Sequence, residues 1–286
     1  MPGKTVFKKA IDFEEAKRLL EQMRLDRGYP SGYPALDQLC GGLVKNGVTL
    51  IAARPAVGKT ALALNIVSRL SRQQPGTILL FSPNTISDDV TTRLLGISMN
   101  LPSESFLDNK LPAATIADRF MDYYCAKQSA IKVKASSFLS LDKIWGCCCE
   151  IPDLRMVVID SVNAVCKPVD YSTRLTTWGE PESPDVVFLS LQRLARYLKV
   201  PVICTSTLHR SLERRKNKRP RLGDLKKLGI PEALIDQVLF LYRDRYYDPE
   251  GEEGAEWIVA KVAQGNTGTL RLDWDHTTRR FTEKEG

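Results

Sequence analysis

The chain has 286 residues, of which 43% are hydrophobic and 26% are charged, and these proportions are ordinary for a soluble globular protein. Its length fits one large α/β domain or two small ones. No apolar run is long enough to span a membrane, and the N-terminus lacks the apolar core of a signal peptide. We therefore expect a cytoplasmic protein with no membrane partner.

The surplus of positive charge is concentrated in one segment. The whole chain carries a net charge of +7, with 41 Lys and Arg against 34 Asp and Glu. Residues 209–227 alone hold nine Lys and Arg against two acids, which is the same excess. Such a segment is typical of a polyanion contact, although a solvated charged loop would have the same composition.

The seven cysteines do not form a metal-ligand pattern. The chain has no CxxC pair, and no histidine lies near the run of three cysteines at 147–149. We expect reduced thiols, some of which pack as small hydrophobic side chains in a reducing compartment.

The predicted elements begin with an amphipathic helix over Ile11–Met23, whose apolar face has no partner within its own segment. A turn-rich link follows, and a short helix over 35–39 ends at Gly41 and Gly42. Strands are then predicted near 48–53, 77–82, 131–134, 156–160, 200–205, 237–242, 257–262 and 269–273. Further helices are predicted near 60–73, 86–98, 113–127, 140–150 and 186–199.

The order of these elements predicts the fold class. The first five strands are apolar and separated by helices, which favours a parallel sheet with helices on both faces. The last strands are separated by short turns such as Gly265–Gly268, which favours an antiparallel extension. We therefore predict an α/β fold with a mostly parallel central sheet, helices on both faces and an antiparallel C-terminal extension.

A phosphate-binding loop lies between the first predicted strand and the helix that follows it. Residues Ala53–Thr60 fit the P-loop pattern A/G-x-x-x-x-G-K-S/T. In this motif backbone N–H groups bind phosphate, the lysine reaches the β- and γ-phosphates, and the hydroxyl binds Mg²⁺. The predicted ATP-binding residues are Ala53, Arg54, Pro55, Ala56, Val57, Gly58, Lys59 and Thr60.

A second motif, Leu154–Ser161, is an apolar strand that ends in an acid, Asp160. An aspartate after an apolar strand often does no more than begin a turn. Beside a P-loop the same pattern is typical of Walker B, in which the carboxylate holds Mg²⁺ through water. Thr60 and Asp160 are therefore the predicted Mg²⁺ residues.

An ordered set of short motifs runs along the chain, at Pro30–Asp37, Ala53–Thr60, Val200–Ile203, Leu208–Arg215, Lys218–Pro220, Asp224–Leu225, Ile235–Val238 and Leu241–Asp244. This set resembles the motor domain of DnaB-type replicative DNA helicases over about residues 16–281. The resemblance implies two parts, an N-terminal arm with a linker-type helix over residues 1–30 and a RecA-like ATP-binding motor domain over residues 31–286. The linker helix of this family docks on the neighbouring subunit, which would explain an apolar face without an internal partner.

The resemblance also implies a P-loop NTPase that binds ATP between the subunits of a hexameric ring and translocates on single-stranded DNA to unwind a duplex. A homo-oligomer and a mixed ring with an active homologue both remain open. Loops that face the central channel would bind the DNA backbone, and by position these are 167–185 and 210–224. The DNA-binding candidates are Arg174, Arg210, Arg214, Arg215, Lys216, Lys218 and Arg219.

Three positions depart from the family pattern where it attacks or senses the γ-phosphate. Asn84 occupies the place of the catalytic glutamate and Thr207 that of the glutamine sensor, whereas the Lys-x-Arg pair keeps Lys261 and has Ala263 in place of its arginine finger. An amide cannot accept the proton of the attacking water, and an arginine finger is worth about 10³–10⁵ in rate in other P-loop enzymes. The candidate catalytic residues are Lys59, Thr60, Asn84, Asp160, Thr207 and Lys261.

These departures leave two function classes open. One is an ATP-dependent DNA helicase motor with weak turnover, in which Asp88 or Asp89 could replace the base and Arg243, Arg245 or Arg271 the finger. The other is a catalytically degenerate nucleotide- and DNA-binding assembly or regulatory protein. A RecA-like recombination or circadian-type ATPase fits the DnaB-like motifs less well. Replicative helicases of this family also carry an N-terminal helical domain that recruits primase, a route we do not expect here if the chain is complete.

Overall fold

A computed structural model describes residues 28–83, 87–106, 129–136, 138–167 and 180–284, together with the single positions 14, 17 and 118. Glu14 and Lys17 fall within the predicted helix 11–23 and Asp118 within the predicted helix 113–127, and all three are helical. The other residues of these two predicted helices lie outside the described residues.

A nine-stranded sheet forms the centre of the described part of the chain. The strands are β1 (Val48–Ala53), β2 (Gly76–Pro83), β3 (Ser129–Ser136), β4 (Leu154–Ile159), β5 (Val202–Thr207), β6 (Gln237–Tyr242), β7 (Ala255–Lys261), β8 (Gly268–Asp275) and β9 (Arg280–Glu283). Their spatial order is β3-β2-β4-β5-β1-β6-β7-β8-β9. The first six in this order pair in parallel and the last three pair antiparallel, which confirms the predicted fold class.

Two details of the sheet differ from the prediction. The sequence pattern groups the strand near 237–242 with the antiparallel part, but β6 pairs in parallel with β1. The connection from β5 holds a short helix, α6 (Gly223–Lys226), and several 3₁₀ turns, and it returns the chain to the edge where β1 begins. The four-residue strand β9 is not predicted, because so short a run shows no clear alternation of apolar and polar residues.

Helices cover both faces of the sheet, as predicted. They are α1 (Pro34–Cys40), α2 (Lys59–Ser71), α3 (Ser87–Met99), α4 (Leu141–Cys149) and α5 (Pro184–Leu198). Helices α2 and α3 pack into the core on one face, and α4 and α5 into the core on the other. The buried strand β1 supplies both cores alternately, with Ile51 and Ala53 on the side of α2 and with Leu50 and Ala52 on the side of α5.

No helix in the described part of the chain is long and apolar enough to cross a lipid bilayer.

Candidate nucleotide-binding site

The loop between β1 and α2 is held in a conformation that favours small residues. Ala56 has a φ of 61° and Gly58 a φ of 120°, and the value at Gly58 is one that residues with a side chain rarely adopt. A Cβ atom on Gly58 would also lie 2.9 Å from Cζ of Phe281, which is fully buried on β9. Backbone geometry and packing therefore both require glycine here. The first N–H groups of a helix have no partner within it, so this loop leaves the start of α2 able to bind an anion.

Lys59 is a buried cation at the start of α2. The residue is 8% exposed, and its Nζ donates a 3.0 Å hydrogen bond to the backbone oxygen of Arg54. Burial lowers the pKa of Lys59 to about 8, while the nearby Asp160 carboxylate opposes this shift and the Arg54 guanidinium adds to it. The charged form is thus short of compensating negative charge, which a phosphate group would supply.

Asp160 lies directly after β4, within hydrogen-bond distance of the P-loop. The hydroxyl of Thr60 donates to its Oδ2 at 2.6 Å, and the hydroxyl of Thr205 donates to its Oδ1 at 2.5 Å. Thr60 lies in the first turn of α2, which follows β1, and Thr205 lies on β5. Parallel pairing brings the carboxyl ends of β1, β4 and β5 to the same edge of the sheet. Hydroxyl and carboxylate oxygens are ligands that Mg²⁺ prefers, so the residues present fit this ion.

A single amide links the turn after Asp160 to the end of β5. Asn163 Oδ1 accepts hydrogen bonds from the N–H of Thr207 at 3.0 Å, from the hydroxyl of Ser206 at 3.0 Å and from that of Ser161 at 3.1 Å. Thr207 is also paired with Ala53, so the predicted sensor position lies beside the P-loop. Sequence reasoning missed both Asn163 and Thr205. The available signal was the presence of polar residues near the carboxyl ends of two neighbouring strands, with Asn163 shortly after β4 and Thr205 in the second half of β5.

A cavity of about 450 Å³ opens beside the P-loop. The P-loop and α2 line one side, Arg93 and Ile97 of α3 another, and the end of β8 with the turn that follows it contributes Trp274, His276 and Arg279. The volume is within the usual range for small-molecule sites. Sequence reasoning missed this contribution, because the turn is more than 200 residues from the P-loop in sequence and carries no nucleotide-binding motif of its own.

The three arginines considered as substitutes for the lost finger occupy different places. Arg243 is half-buried next to the P-loop, with Nη1 3.5 Å from the backbone oxygen of Val57 and the guanidinium 4.8 Å from the ring centre of Trp274. Burial lowers its pKa. Arg245 and Arg271 instead form exposed ion pairs with acids of the turn between β6 and β7.

Lys261 and Ala263 lie apart from the P-loop of the same chain. Lys261 pairs with Val238 near the start of β6, and its Nζ donates a 2.7 Å hydrogen bond to the backbone oxygen of Glu232. Ala263 lines a separate cavity of about 650 Å³ towards the edge where β1 begins, whereas the P-loop follows the end of β1. The geometry therefore does not bring this pair to its own phosphate site. Asn84 lies outside the described residues.

The basic segment, residues 209–227, divides into paired and exposed side chains. Arg215 forms an ion pair with the buried Asp224 at 2.9 Å. Arg219 donates to Glu256 through Nε at 2.7 Å and stacks over Tyr242, and the hydrogen bond to Glu256 raises the pKa of Arg219. Lys218 lies over the ring of Tyr247. The other candidates in this segment, Arg210, Arg214 and Lys216, are exposed, and Arg174 lies outside the described residues.

A glycine-requiring loop with a buried lysine, followed across a parallel sheet by an aspartate that contacts the loop's threonine, defines a P-loop nucleotide-binding domain of RecA-like fold. The family model of the DnaB-like helicase C-terminal domain matches residues 28–283. The chain therefore belongs to this family, which confirms the resemblance seen in the sequence.

Several known proteins are similar over most of the chain. The replicative DNA helicase DnaB of Geobacillus stearothermophilus is 30% identical in an alignment of 263 residues that covers 90% of this chain and 57% of that protein. The replicative DNA helicase DnaC of Bacillus subtilis (strain 168) is 29% identical, with the same coverage of both proteins. This chain thus spans a little more than half the length of these curated relatives.

Solved structures show the same fold. The structure of a separate ATPase domain matches with a TM-score of 0.80 at 27% identity, over 98% of this chain and 100% of that chain. A DnaB-like replicative helicase, solved in a study of its interactions with primase, matches with a TM-score of 0.78 at 26% identity, over 99% of this chain and 69% of that chain.

Proposed function

We propose that this chain is the ATP-binding motor domain of a DnaB-like DNA helicase, which acts on single-stranded DNA in replication and hydrolyses ATP slowly. The observation that carries the proposal is the 2.6 Å hydrogen bond from Thr60 to Asp160 beside the buried Lys59. It joins the phosphate-binding and metal-binding halves of the site across two elements that are 100 residues apart in sequence. The division into an arm, residues 1–30, and a motor domain, residues 31–286, belongs to this proposal, as does a cytoplasmic location.

We assign roles to the site residues from the P-loop motif, and the contacts described above support them. Backbone N–H groups at the start of α2 bind the phosphates, and Lys59 moves from the Arg54 carbonyl to the β- and γ-phosphate oxygens. The hydroxyl of Thr60 and the carboxylate of Asp160 would hold Mg²⁺ here. When bound, the ion neutralises charge on the phosphate oxygens. The cavity beside the P-loop receives the base and ribose, against Trp274 and Arg279.

Slow hydrolysis follows from what the γ-phosphate positions lack. The amide of Asn84, in place of the family's glutamate, cannot accept the proton of the attacking water, and the loss of a general base typically costs about 10²–10⁴ in rate. Thr207 has a shorter side chain than the glutamine it replaces, so it reaches less far towards a γ-phosphate. Lys261 and Ala263 lie too far from the P-loop of their own chain to contact its nucleotide. In a ring, they would instead face the nucleotide bound by a neighbouring copy. In such a ring Ala263 offers no guanidinium.

Single-stranded DNA is bound by the exposed part of the basic segment, with Arg210, Arg214 and Lys216 on the phosphates. Arg174, outside the described residues, belongs to this proposal on the sequence alone. Their charges favour a polyanion without regard to base sequence. Arg215 forms an ion pair with the buried Asp224 within the segment, and Arg219 forms one with Glu256 of β7, so these two arginines stabilise the segment. The oligomer is a hexameric ring, made either of this chain alone or of this chain with an active homologue.

Equilibrium titration with Mg²⁺ and a fluorescent ATP analogue tests the nucleotide site. We expect saturable binding that Lys59→Ala abolishes, because the variant removes the buried cation that reaches the phosphates. Lys143→Ala is the matched control, since Lys143 is exposed on α4, across the sheet from α2, and its Nζ donates to the Ser136 hydroxyl. Equal affinity of all three proteins, or no binding by the wild type, would overturn the proposal.

A further inference from the structure

An ion pair joins the P-loop directly to the basic segment. The guanidinium of Arg54 donates through Nε to Glu213 Oε1 at 2.6 Å and through Nη1 to the backbone oxygen of Leu208 at 2.6 Å. The N–H of Leu208 in turn donates to the backbone oxygen of Ala53 at 2.9 Å. Three hydrogen bonds thus hold Leu208, the residue just before the basic segment, and Glu213 within it against the first two residues of the P-loop.

Both ends of this connection lie next to groups that would contact a ligand. On one side, the backbone oxygen of Arg54 accepts the 3.0 Å hydrogen bond from Lys59 Nζ. On the other side, Glu213 belongs to the 3₁₀ helix Arg210–Arg214, whose two terminal arginines are exposed. Leu212 of this helix is buried and anchors it to the core. A shift of Glu213 would therefore turn the helix about Leu212 and change the positions of Arg210 and Arg214.

The pair is placed to respond to a ligand. The Arg54 side chain is 15% exposed and that of Glu213 is 39% exposed, so water screens the pair only in part. An anion bound at the P-loop attracts Lys59 Nζ away from the Arg54 carbonyl. The backbone that carries the Arg54 guanidinium then loses one of its fixed contacts, and the guanidinium and Glu213 can move together.

We propose that Arg54 and Glu213 are the positioning residues that couple nucleotide at the P-loop to the affinity of the basic segment for single-stranded DNA. Arg54 acts through Glu213, and Glu213 acts by placing Arg210 and Arg214. Neither side chain needs to touch nucleotide or DNA. The inference rests on the proposed function, because it assigns a regulation to the same two ligand sites. A purely structural ion pair would stabilise the fold without changing how one ligand affects the other.

The test measures the binding of a fluorescent oligothymidylate with and without a saturating, non-hydrolysable Mg²⁺–ATP analogue. The ratio of the two dissociation constants is the coupling, which typically lies at about 5–150-fold for linked sites. We expect at least about a 5-fold ratio in the wild type and a ratio within about 2-fold of one in Glu213→Gln. This variant keeps the size of the side chain and removes its charge. Glu253→Gln, which breaks the exposed pair with Arg245, is the matched control and should keep the wild-type ratio.

A double-mutant cycle adds a second, independent measurement. If the two side chains act as one connection, Arg54→Ala together with Glu213→Gln should change the coupling ratio no further than either variant alone. Thermal unfolding of each protein is recorded alongside, because a structural role would lower the unfolding midpoint and leave the ratio unchanged. Should Arg54→Ala fail to fold, Glu213→Gln at its half-exposed position still decides the question.

Three outcomes would contradict the inference, and they can be distinguished from one another. A wild-type ratio retained in Glu213→Gln shows that the pair does not carry the coupling. A wild type that binds both ligands with a ratio of one has no coupling to carry, although the proposed function stands. A wild type that fails to bind the ATP analogue overturns the proposed function and this inference with it.

Discussion

At the scale of single residues, the cation of Lys59 is the group that most needs a ligand, because it is buried and its Nζ donates to a neutral carbonyl oxygen. Gly58 holds a conformation that a side chain would strain, and Asp160 is positioned by two threonine hydroxyls, one of them from a neighbouring strand. Buried groups with a shifted pKa are common at binding sites.

The lowered pKa of Lys59 predicts a pH dependence of both binding and stability. The unfolded chain has the ordinary lysine pKa of about 10.5 and the folded protein one of about 8, so the folded form binds fewer protons between these values. The free energy of unfolding without ligand should therefore rise with pH across this window, while affinity for nucleotide, which requires the charged lysine, should fall.

Calorimetry measures this linkage directly. Titrations with Mg²⁺–ADP at pH 9, in buffers of different ionisation enthalpy, should show uptake of about one proton on binding, and uptake should be close to zero at about pH 6.5. Lys143→Ala, which leaves the buried lysine of the P-loop in place, should show the same proton uptake as the wild type. Equal proton uptake at both pH values would mean that the lysine is not the group that titrates.

Gly58→Ala tests the packing of the loop against β9. The new Cβ would lie 2.9 Å from Phe281 at a φ of 120°, so we expect a loss of roughly 1–3 kcal/mol in the free energy of unfolding together with weaker nucleotide binding. Gly146→Ala is the control, because a Cβ at that helical position meets nothing within 4 Å. Chemical denaturation measures the stability of both variants. A Gly58→Ala protein as stable as the wild type would contradict the strained-loop account.

At the scale of elements, the sequence predicts most strands and helices because long apolar runs have a clear period. The parallel pairing of β6 is missed because the connection before it has only a four-residue helix, which looks like a loop in the sequence. Strand β9 is missed because four residues are too few for a pattern.

In the site, the P-loop and Asp160 are predictable because their spacing is local. Thr205, Asn163 and Trp274 are not, because tertiary packing alone brings them there.

The basic segment contains both paired and exposed cations, and we expect only the exposed ones to contact DNA. Replacing Arg210, Arg214 and Lys216 together with Ala should weaken binding of single-stranded DNA and reduce the slope of log affinity against log salt, by about 0.7 per lost phosphate contact. Arg215 and Arg219 are left unchanged, because their ion pairs with Asp224 and Glu256 support the fold.

The matched control replaces three basic residues elsewhere, Lys132 and Lys134 of β3 and Lys143 of α4, with Ala. It removes the same net charge and should leave the salt slope close to that of the wild type. Fluorescence anisotropy between about 50 and 300 mM salt, a range in which such slopes are usually resolved, measures all three proteins. Equal slopes for both triple variants would identify the basic segment as a solvated loop.

At the scale of the whole molecule, the phosphate site and the Lys261–Ala263 edge lie at different ends of the sheet, so the site proposed above would combine the P-loop of one copy with this edge of another. This arrangement predicts that Ala263→Arg raises ATP turnover only when copies assemble. We expect an increase of about tenfold or more, a fraction of what an arginine finger contributes elsewhere. The increase should grow with protein concentration. Val262→Arg, which places the same charge one position earlier, should not produce it.

Mixing experiments separate action between copies from action within one. Ala263→Arg combined with Lys59→Ala cannot bind nucleotide at its own P-loop, but it should stimulate a wild-type partner in the same assembly. If this double variant gives no stimulation while Ala263→Arg alone does, the arginine acts within its own chain. That result would contradict the assignment of this edge to a neighbouring site.

We propose that this DnaB-like domain keeps all the residues that bind phosphate but lacks groups needed for rapid hydrolysis of ATP. Steady-state ATP turnover with and without single-stranded DNA, at a nucleotide concentration that saturates the wild type, tests it most directly. We expect saturable, Lys59-dependent turnover well below ~1 s⁻¹, even with DNA. DNA-stimulated turnover at ~1 s⁻¹ or faster would contradict it.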